Sequence, residues 1–301
     1  MALSLEIRSG FVYLVESKSK SKTGPVNISK TLFFEFPDSW IDNQGIREVD
    51  EFGSLLEEHL TKNNIKEKDC ILCINNASII YRELMIPKID DKKTPFIVRS
   101  EMMNALNLTP DYIMDFIVLE EIRKEEETSQ LRVLAVAMLE SAIESYLKAF
   151  KKAKRNVVAI DSATNAIIKL ANESKVFTDD DPVILVDVGN AYLRLYLFEN
   201  GMYVLSRNAR LVSYSEGDKE SVIPIVEDNI NKMIQFSYTR SKKAIKKIVL
   251  MGMDEILPDI QKVLFDSLFV PCDIIQMPST FMSTVGFQTK YVNAFGALIR
   301  K

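Results

Sequence analysis

The chain has 301 residues, 47% of them hydrophobic and 27% charged, with a formal net charge of −4. This is ordinary globular composition with ample apolar material for a core, and it excludes collagen-like, low-complexity and disordered chains. The acidic balance gives no overall basic field for nucleic acid. The longest apolar runs, at 183–186 and 248–251, are strand-sized and far short of a membrane span.

The N-terminus lacks a basic stretch followed by an apolar one, so no signal peptide is expected. The protein is read as cytoplasmic, with membrane association only through a partner. Residues 3–8 and 11–16 are extended runs around Ser9-Gly10 and predict a hairpin. The Lys/Ser-rich stretch 17–30, with Gly24-Pro25, reads as an exposed hairpin tip rather than a phosphate-binding arm. A third strand at 31–36 precedes a helix from 50 to about 63, with Phe52, Leu55, Leu56 and Leu60 on one face. His59, the single histidine, flanks that face and reads as a half-buried helix residue rather than a catalytic base.

The strand at 70–74 contains Cys70-Ile71-Leu72-Cys73, and a strand sends those two sulfurs to opposite faces. A redox C-x-x-C is therefore not expected. Cys272 is the only other cysteine, so a zinc site is not expected either. Residues 79–86 form another extended run. Thr94 as N-cap and Pro95 in the first turn open a helix to about 106. Strands at 114–120 and 131–138 flank an acidic turn, 125–127. A helix from 140 to about 154 carries Ile143, Tyr146, Leu147 and Phe150 on one side. Its basic end, Lys151 to Arg155, complements the helix dipole rather than marking a nucleic-acid patch.

A strand at 157–160 and a helix at 162–171 lead to a polar stretch, 173–181. Its Thr178-Asp179-Asp180-Asp181-Pro182 reads as a solvated linker between two halves rather than a metal site. The second half opens with strands 183–187 and 192–199 around Gly189-Asn190, then a strand at 202–208. A helix from about 221 to 240 carries Val222, Val226, Ile230 and Met233 on one face, with Pro224 tolerated in its first turn. Strand 248–251, helix 254–269, strand 273–276 and helix 293–301 complete the chain.

The halves echo each other. Leu5-Glu6-Ile7-Arg8-Ser9-Gly10-Phe11-Val12-Tyr13-Leu14 lines up with Val186-Asp187-Val188-Gly189-Asn190-Ala191-Tyr192-Leu193-Arg194-Leu195. Each is a strand, a tight turn and a second strand, followed by a third strand and helices. The fold class this predicts is α/β, with the two lobes of an actin/Hsp70-like fold.

Several stretches carry a family resemblance. They are Ile80-Tyr81-Arg82-Glu83-Leu84-Met85-Ile86-Pro87, Val157-Val158-Ala159-Ile160-Asp161, and Gln235-Phe236-Ser237-Tyr238-Thr239-Arg240-Ser241 followed by Ile248-Val249-Leu250-Met251-Gly252. The ending Asn293-Ala294-Phe295-Gly296-Ala297-Leu298 belongs with them. In order and spacing the chain resembles the type IV pilus assembly protein PilM family, actin-like relatives of the division protein FtsA. The resemblance implies a first lobe over 1–89 completed by 150–175, a small α+β subdomain inserted at 90–149, and a second lobe over 176–301. About a dozen residues separate the strand ending near Asn208 from the helix at Ser221, which implies a reduced or missing second-lobe insertion.

Actin-like ATPases hold Mg-ATP with a D-x-G hairpin in each lobe. Here Asp187-Val188-Gly189 keeps that pattern, while Glu6-Ile7-Arg8 puts an arginine where the glycine should be. Gly252-Met253-Asp254-Glu255 has one glycine and two carboxylates where the family shows a glycine pair. Glu6, Asp187, Gly189 and Gly252 are thus candidates for a degenerate nucleotide cleft, with no catalytic residue, metal or cofactor expected. The resemblance implies instead a scaffold that captures the cytoplasmic tail of a PilN-like inner-membrane protein. The groove would lie between the first lobe and its insertion, with Arg82, Phe96, Arg99 and Met103 as candidate contacts. The alternative is an active actin-like ATPase that binds Mg-ATP and polymerises. FtsA-type proteins end in a membrane-binding helix, and Ile299-Arg300-Lys301 offers none, which favours the scaffold.

Overall fold

In the computed structural model, β1 (Ala2–Arg8), β2 (Phe11–Ser17) and β3 (Val26–Glu35) form an antiparallel meander. A small hairpin, β4 (Ile41–Asp42) with β5 (Gly45–Ile46), leads to α1 (Val49–Lys62) and β6 (Asp69–Ile74). Next come β7 (Ile80–Pro87), α2 (Thr94–Leu106), β8 (Tyr112–Lys124), β9 (Glu127–Leu139), α3 (Glu140–Lys152), β10 (Asn156–Ser162) and α4 (Ala163–Glu173). The remainder is β11 (Val183–Val188), β12 (Tyr192–Glu199), β13 (Met202–Arg210), α5 (Lys219–Ser241), β14 (Lys247–Gly252), α6 (Leu257–Leu268), β15 (Cys272–Ile274), β16 (Phe281–Ser283) and α7 (Val292–Leu298). The structure describes residues 2–18, 25–124, 127–177, 182–190, 192–211 and 219–300. The core of the acidic turn (125–126), the aspartate run (178–181) and most of the 208–221 connection lie outside these residues.

The half-chain echo is a topological repeat. One sheet runs β10-β6-β1-β2-β3 and the other β15-β14-β11-β12-β13. In each, the first strand of a meander pairs in parallel with a later strand, which pairs in parallel with a still later one. The two are not separate in sequence. β16 pairs in parallel with β3, and α7 packs on α4, β1 and β6. The chain end therefore returns to the first sheet, whereas the sequence reading assigned all of 176–301 to the second lobe.

Period-two alternation explains the layering. Leu3, Leu5, Ile7, Val12 and Leu14 face α1 and α3, while Tyr13, Val15, Ile71 and Cys73 face α4 and α7. The second sheet sends Val183 and Leu185 to the same two helices, and Ile184, Val186 and Val188 to α5 and α6. β6, β11 and β14 are buried on both faces and carry short continuous apolar runs, while β1 holds Ser4 and Glu6 within its buried span. Each fully buried Leu or Ile contributes about 1.5–3 kcal/mol relative to exposure. Cys70 and Cys73 do fall in opposite layers, and burial pushes the Cys70 thiol up to about 12 and that of Cys73 well above its usual value. His59 stacks on Phe34 with ring centroids 4.0 Å apart.

A third sheet, β7-β9-β8, stands off the first. Helix α2 covers one of its faces, with Val98 and Met102 over Leu84, Ile86, Val133 and Ala135. Thr94 is not the cap expected there. Lys93 precedes the helix, and the Thr94 hydroxyl donates to the Asp90 carbonyl at 3.3 Å. Helix α6 starts at Leu257 rather than 254, because Asp254 is engaged elsewhere. Its carboxylate accepts the backbone N–H groups of Thr289 (2.8 Å) and Lys290 (3.4 Å).

Candidate functional site

The ends of β1 and β11 meet between the two large sheets. Glu6 is fully buried and Asp187 is 4% exposed. Arg8 lies between them. Its Nε donates to Glu6 Oε1 at 2.8 Å and its Nη2 to Asp187 Oδ2 at 3.3 Å. Asn75, just past β6, and Asn293, in α7, also donate to Glu6 Oε1 at 2.7 and 2.9 Å. The guanidinium sits over the Tyr13 ring, 5.0 Å from its centroid. Burial alone would lower the Arg8 pKa, but Asp187 and Glu6 hold it well above its ordinary value. One cation thus bridges two carboxylates from different sheets, with Arg8 and Asp187 lying 179 residues apart in sequence.

The two candidate glycines have different reasons to be glycine. A Cβ on Gly189 would come 3.0 Å from Arg8 Nη1, so the space beside this glycine is taken by the arginine. Gly252 has φ +115°, and a Cβ there would lie 2.2 Å from the Val188 carbonyl oxygen. Its N–H donates to Thr289 Oγ1 at 3.0 Å. The close approach of β14 to β11 is therefore what demands glycine at this position. A cavity of about 170 Å³ remains next to Arg8, Asp187 and Gly189. Among the described residues, no group of three or more His, Cys, Asp or Glu is arranged to hold a metal ion.

The second recess has another character. An apolar cavity of about 280 Å³ opens between the first sheet and the β7-β9-β8 sheet. Its walls include Ile113 and Ile117 of β8, Leu134 and Val136 of β9, and Ile160 of β10. β10 and β8 are each the outermost strand of their sheet among the described residues. Two unpaired strand edges thus flank one apolar space. Ile113 and Ile160 are 44% and 42% exposed, unusual for isoleucine on a strand. Tyr81 lines the cavity and also the neighbouring interlobe recess, as does Leu134. Burial raises the Tyr81 phenol, with Ser162 and Thr164 at the start of α4 opposing the shift.

None of Arg82, Phe96, Arg99 and Met103 lines this cavity. The last three lie on α2, which covers the other face of the small sheet. Phe96 is 74% exposed. Arg99, expected to face a partner, is tied down: its guanidinium donates to the carbonyls of Tyr112 (3.0 Å) and Pro110 (2.7 Å) and anchors α2 to β8. Asn75, Asn293 and Ile160 were not singled out from the sequence. Asn293 is 287 residues from Glu6 and has no local signal. The apolar Val157 to Ile160 run was visible, but only sheet order makes it an edge.

Two sheets of one topology, joined by shared helices around a central cleft, define a two-lobed actin-like fold. The solved structure of a PilM-PilN type IV pilus biogenesis complex is similar, with a TM-score of 0.81 and 17% identity over 99% of this chain and 97% of that one. The cytoplasmic domain of EpsL, an inner-membrane component of the type II secretion system of Vibrio cholerae, matches with a TM-score of 0.54 and 6% identity, covering 100% and 95%. A Bacteroides thetaiotaomicron protein with an actin-like ATPase fold and unknown function matches at 0.51 and 11%, covering 91% and 90%. No curated protein sequence matches the chain. The family model for the type IV pilus assembly protein PilM matches residues 4–212, and the chain belongs to that family. Among the described residues, no helix is long and apolar enough to cross a membrane.

Proposed function

We propose that this protein is a non-catalytic scaffold of a type IV pilus inner-membrane assembly complex, and that it captures the cytoplasmic tail of a PilN-like membrane protein. The apolar cavity flanked by the free edges of β8 and β10 carries this reading. An extended segment entering such a space gains main-chain hydrogen bonds from a strand edge and side-chain specificity from the cavity. The tail-binding surface is then this cavity rather than the exposed face of α2, and the protein reaches the inner face of the membrane through its partner.

The cleft supports the non-catalytic half of the reading. In an actin-like site, bare backbone amides and a metal-associated carboxylate meet the phosphates. Here the Arg8 guanidinium fills the space against Gly189 and neutralises Glu6 and Asp187. The residues do not fit Mg-ATP. Calorimetric titration with Mg-ATP tests this: no heat is expected up to millimolar nucleotide, and saturable micromolar binding would restore the ATPase reading. Titration with a peptide of the PilN-like tail from the same organism tests the other half, with saturable binding expected that Ile160→Glu abolishes.

A further inference from the structure

The cavity flanked by β8 and β10 is apolar except at a few positions, and those positions are unequal. Its lining holds two carboxylates, Asp115 and Asp161, and no lysine or arginine. Asp161 is already compensated. Lys169 Nζ lies 2.6 Å from its Oδ2, and Asn165 Nδ2 donates to its Oδ1 at 2.8 Å. Asp115 has no ion pair among the described residues. Its Oδ1 accepts the backbone N–H of Phe116 at 2.8 Å, on the outermost strand of the sheet. Alternation along β8 puts Asp115 on the same side as Ile113 and Ile117. An apolar segment seated against those isoleucines would pass beside one uncompensated negative charge.

Resting on the tail-capture reading, we infer that the captured segment is cationic as well as apolar, and that Asp115 selects for a lysine, arginine or terminal ammonium beside its apolar side chains. An acidic segment would set like charges together in a cavity with no cation to relieve them, and that repulsion discriminates between partners. The chemistry suits a segment lying just cytoplasmic of a membrane span, where lysine and arginine are enriched. The bland role for Asp115 is to occupy the Phe116 amide and blunt a strand edge. An asparagine keeps that acceptor and removes the charge, so Asp115→Asn separates the two roles.

The test pans a displayed library of short random peptides on the whole protein, on Asp115→Asn, on Ile160→Glu and on the distant surface control Asp266→Asn. All four are first checked for unchanged unfolding midpoints. Peptides retained by the wild type and lost on Ile160→Glu should be apolar, rich in lysine and arginine and depleted in aspartate and glutamate. That bias should vanish on Asp115→Asn and persist on Asp266→Asn. Individual cationic peptides should bind Asp115→Asn about three- to fivefold more weakly at low salt, with the difference closing as salt rises. Ile160-dependent peptides without charge preference, or with one unchanged in Asp115→Asn, overturn the inference and leave the tail-capture reading standing. If no retained peptide depends on Ile160, the tail-capture reading itself fails.

Discussion

The two recesses of this molecule differ in what they leave unsatisfied. The cleft between the large sheets is polar: Arg8 pairs with Glu6 and Asp187 and two asparagines donate to Glu6 Oε1, while Glu6 Oε2 and Asp187 Oδ1 are buried without a hydrogen-bond partner among the described residues. The cavity between β8 and β10 is apolar, flanked by unpaired strand edges, with one unmatched charge at Asp115. The Arg8 bridge links the two large sheets across the cleft. Exposed isoleucines beside open backbone edges invite a partner. The difference teaches that the apolar cavity, with its open strand edges, is where an extended apolar segment would gain free energy.

The largest expected effect is in the cleft. Glu6→Ala leaves Arg8 with Asp187 alone and removes the acceptor of both asparagines, so a loss of about 3–5 kcal/mol is expected in urea unfolding. A loss under 1 kcal/mol would mean the network carries little. Gly252→Ala should cost about 3 kcal/mol, because the new methyl meets the Val188 carbonyl and φ is positive. Equilibrium unfolding with an unchanged m-value would check it. In the cavity, Ile160→Glu should weaken tail-peptide binding at least about tenfold, with stability within roughly 0.5 kcal/mol, since the side chain is already exposed. Equal loss of binding and stability would break the contrast between a structural cleft and a binding cavity.

The smallest effect concerns His59. Burial lowers its pKa, with Glu58 opposing and Lys62 adding to the shift. Its folded-state value lies below the unfolded 6.5, so the unfolded chain binds the extra proton first. Its contribution is whole above pH 6.5 and declines as pH falls through the folded pKa. His59→Gln should flatten that part of the stability–pH profile, and an identical profile would show that the Phe34 stack does not care about protonation.

Much of this was legible along the chain. Alternation, turn residues and helical periodicity gave most strands and helices, because burying both faces of a central strand leaves an unmistakable apolar run. The aligned Leu5 to Leu14 and Val186 to Leu195 segments disclosed the repeat, because hairpin geometry is local. Arg8 stands out only against the D-x-G pattern that the family resemblance supplies. Nothing near Arg99 announces that the carbonyls of Pro110 and Tyr112 lie within its reach.

The sequence by itself determined the α/β class and the repeated hairpins, since each rests on neighbours within a few residues. Only the tertiary structure decided the rest. It returned the C-terminal strand and helix to the first sheet and brought Asn293 to Glu6. It made β8 and β10 edges, and left Asp115 unpaired between Ile113 and Ile117. Strand order and ion pairing across long sequence distances depend on how whole layers stack, and no local pattern encodes which strand will be last in its sheet.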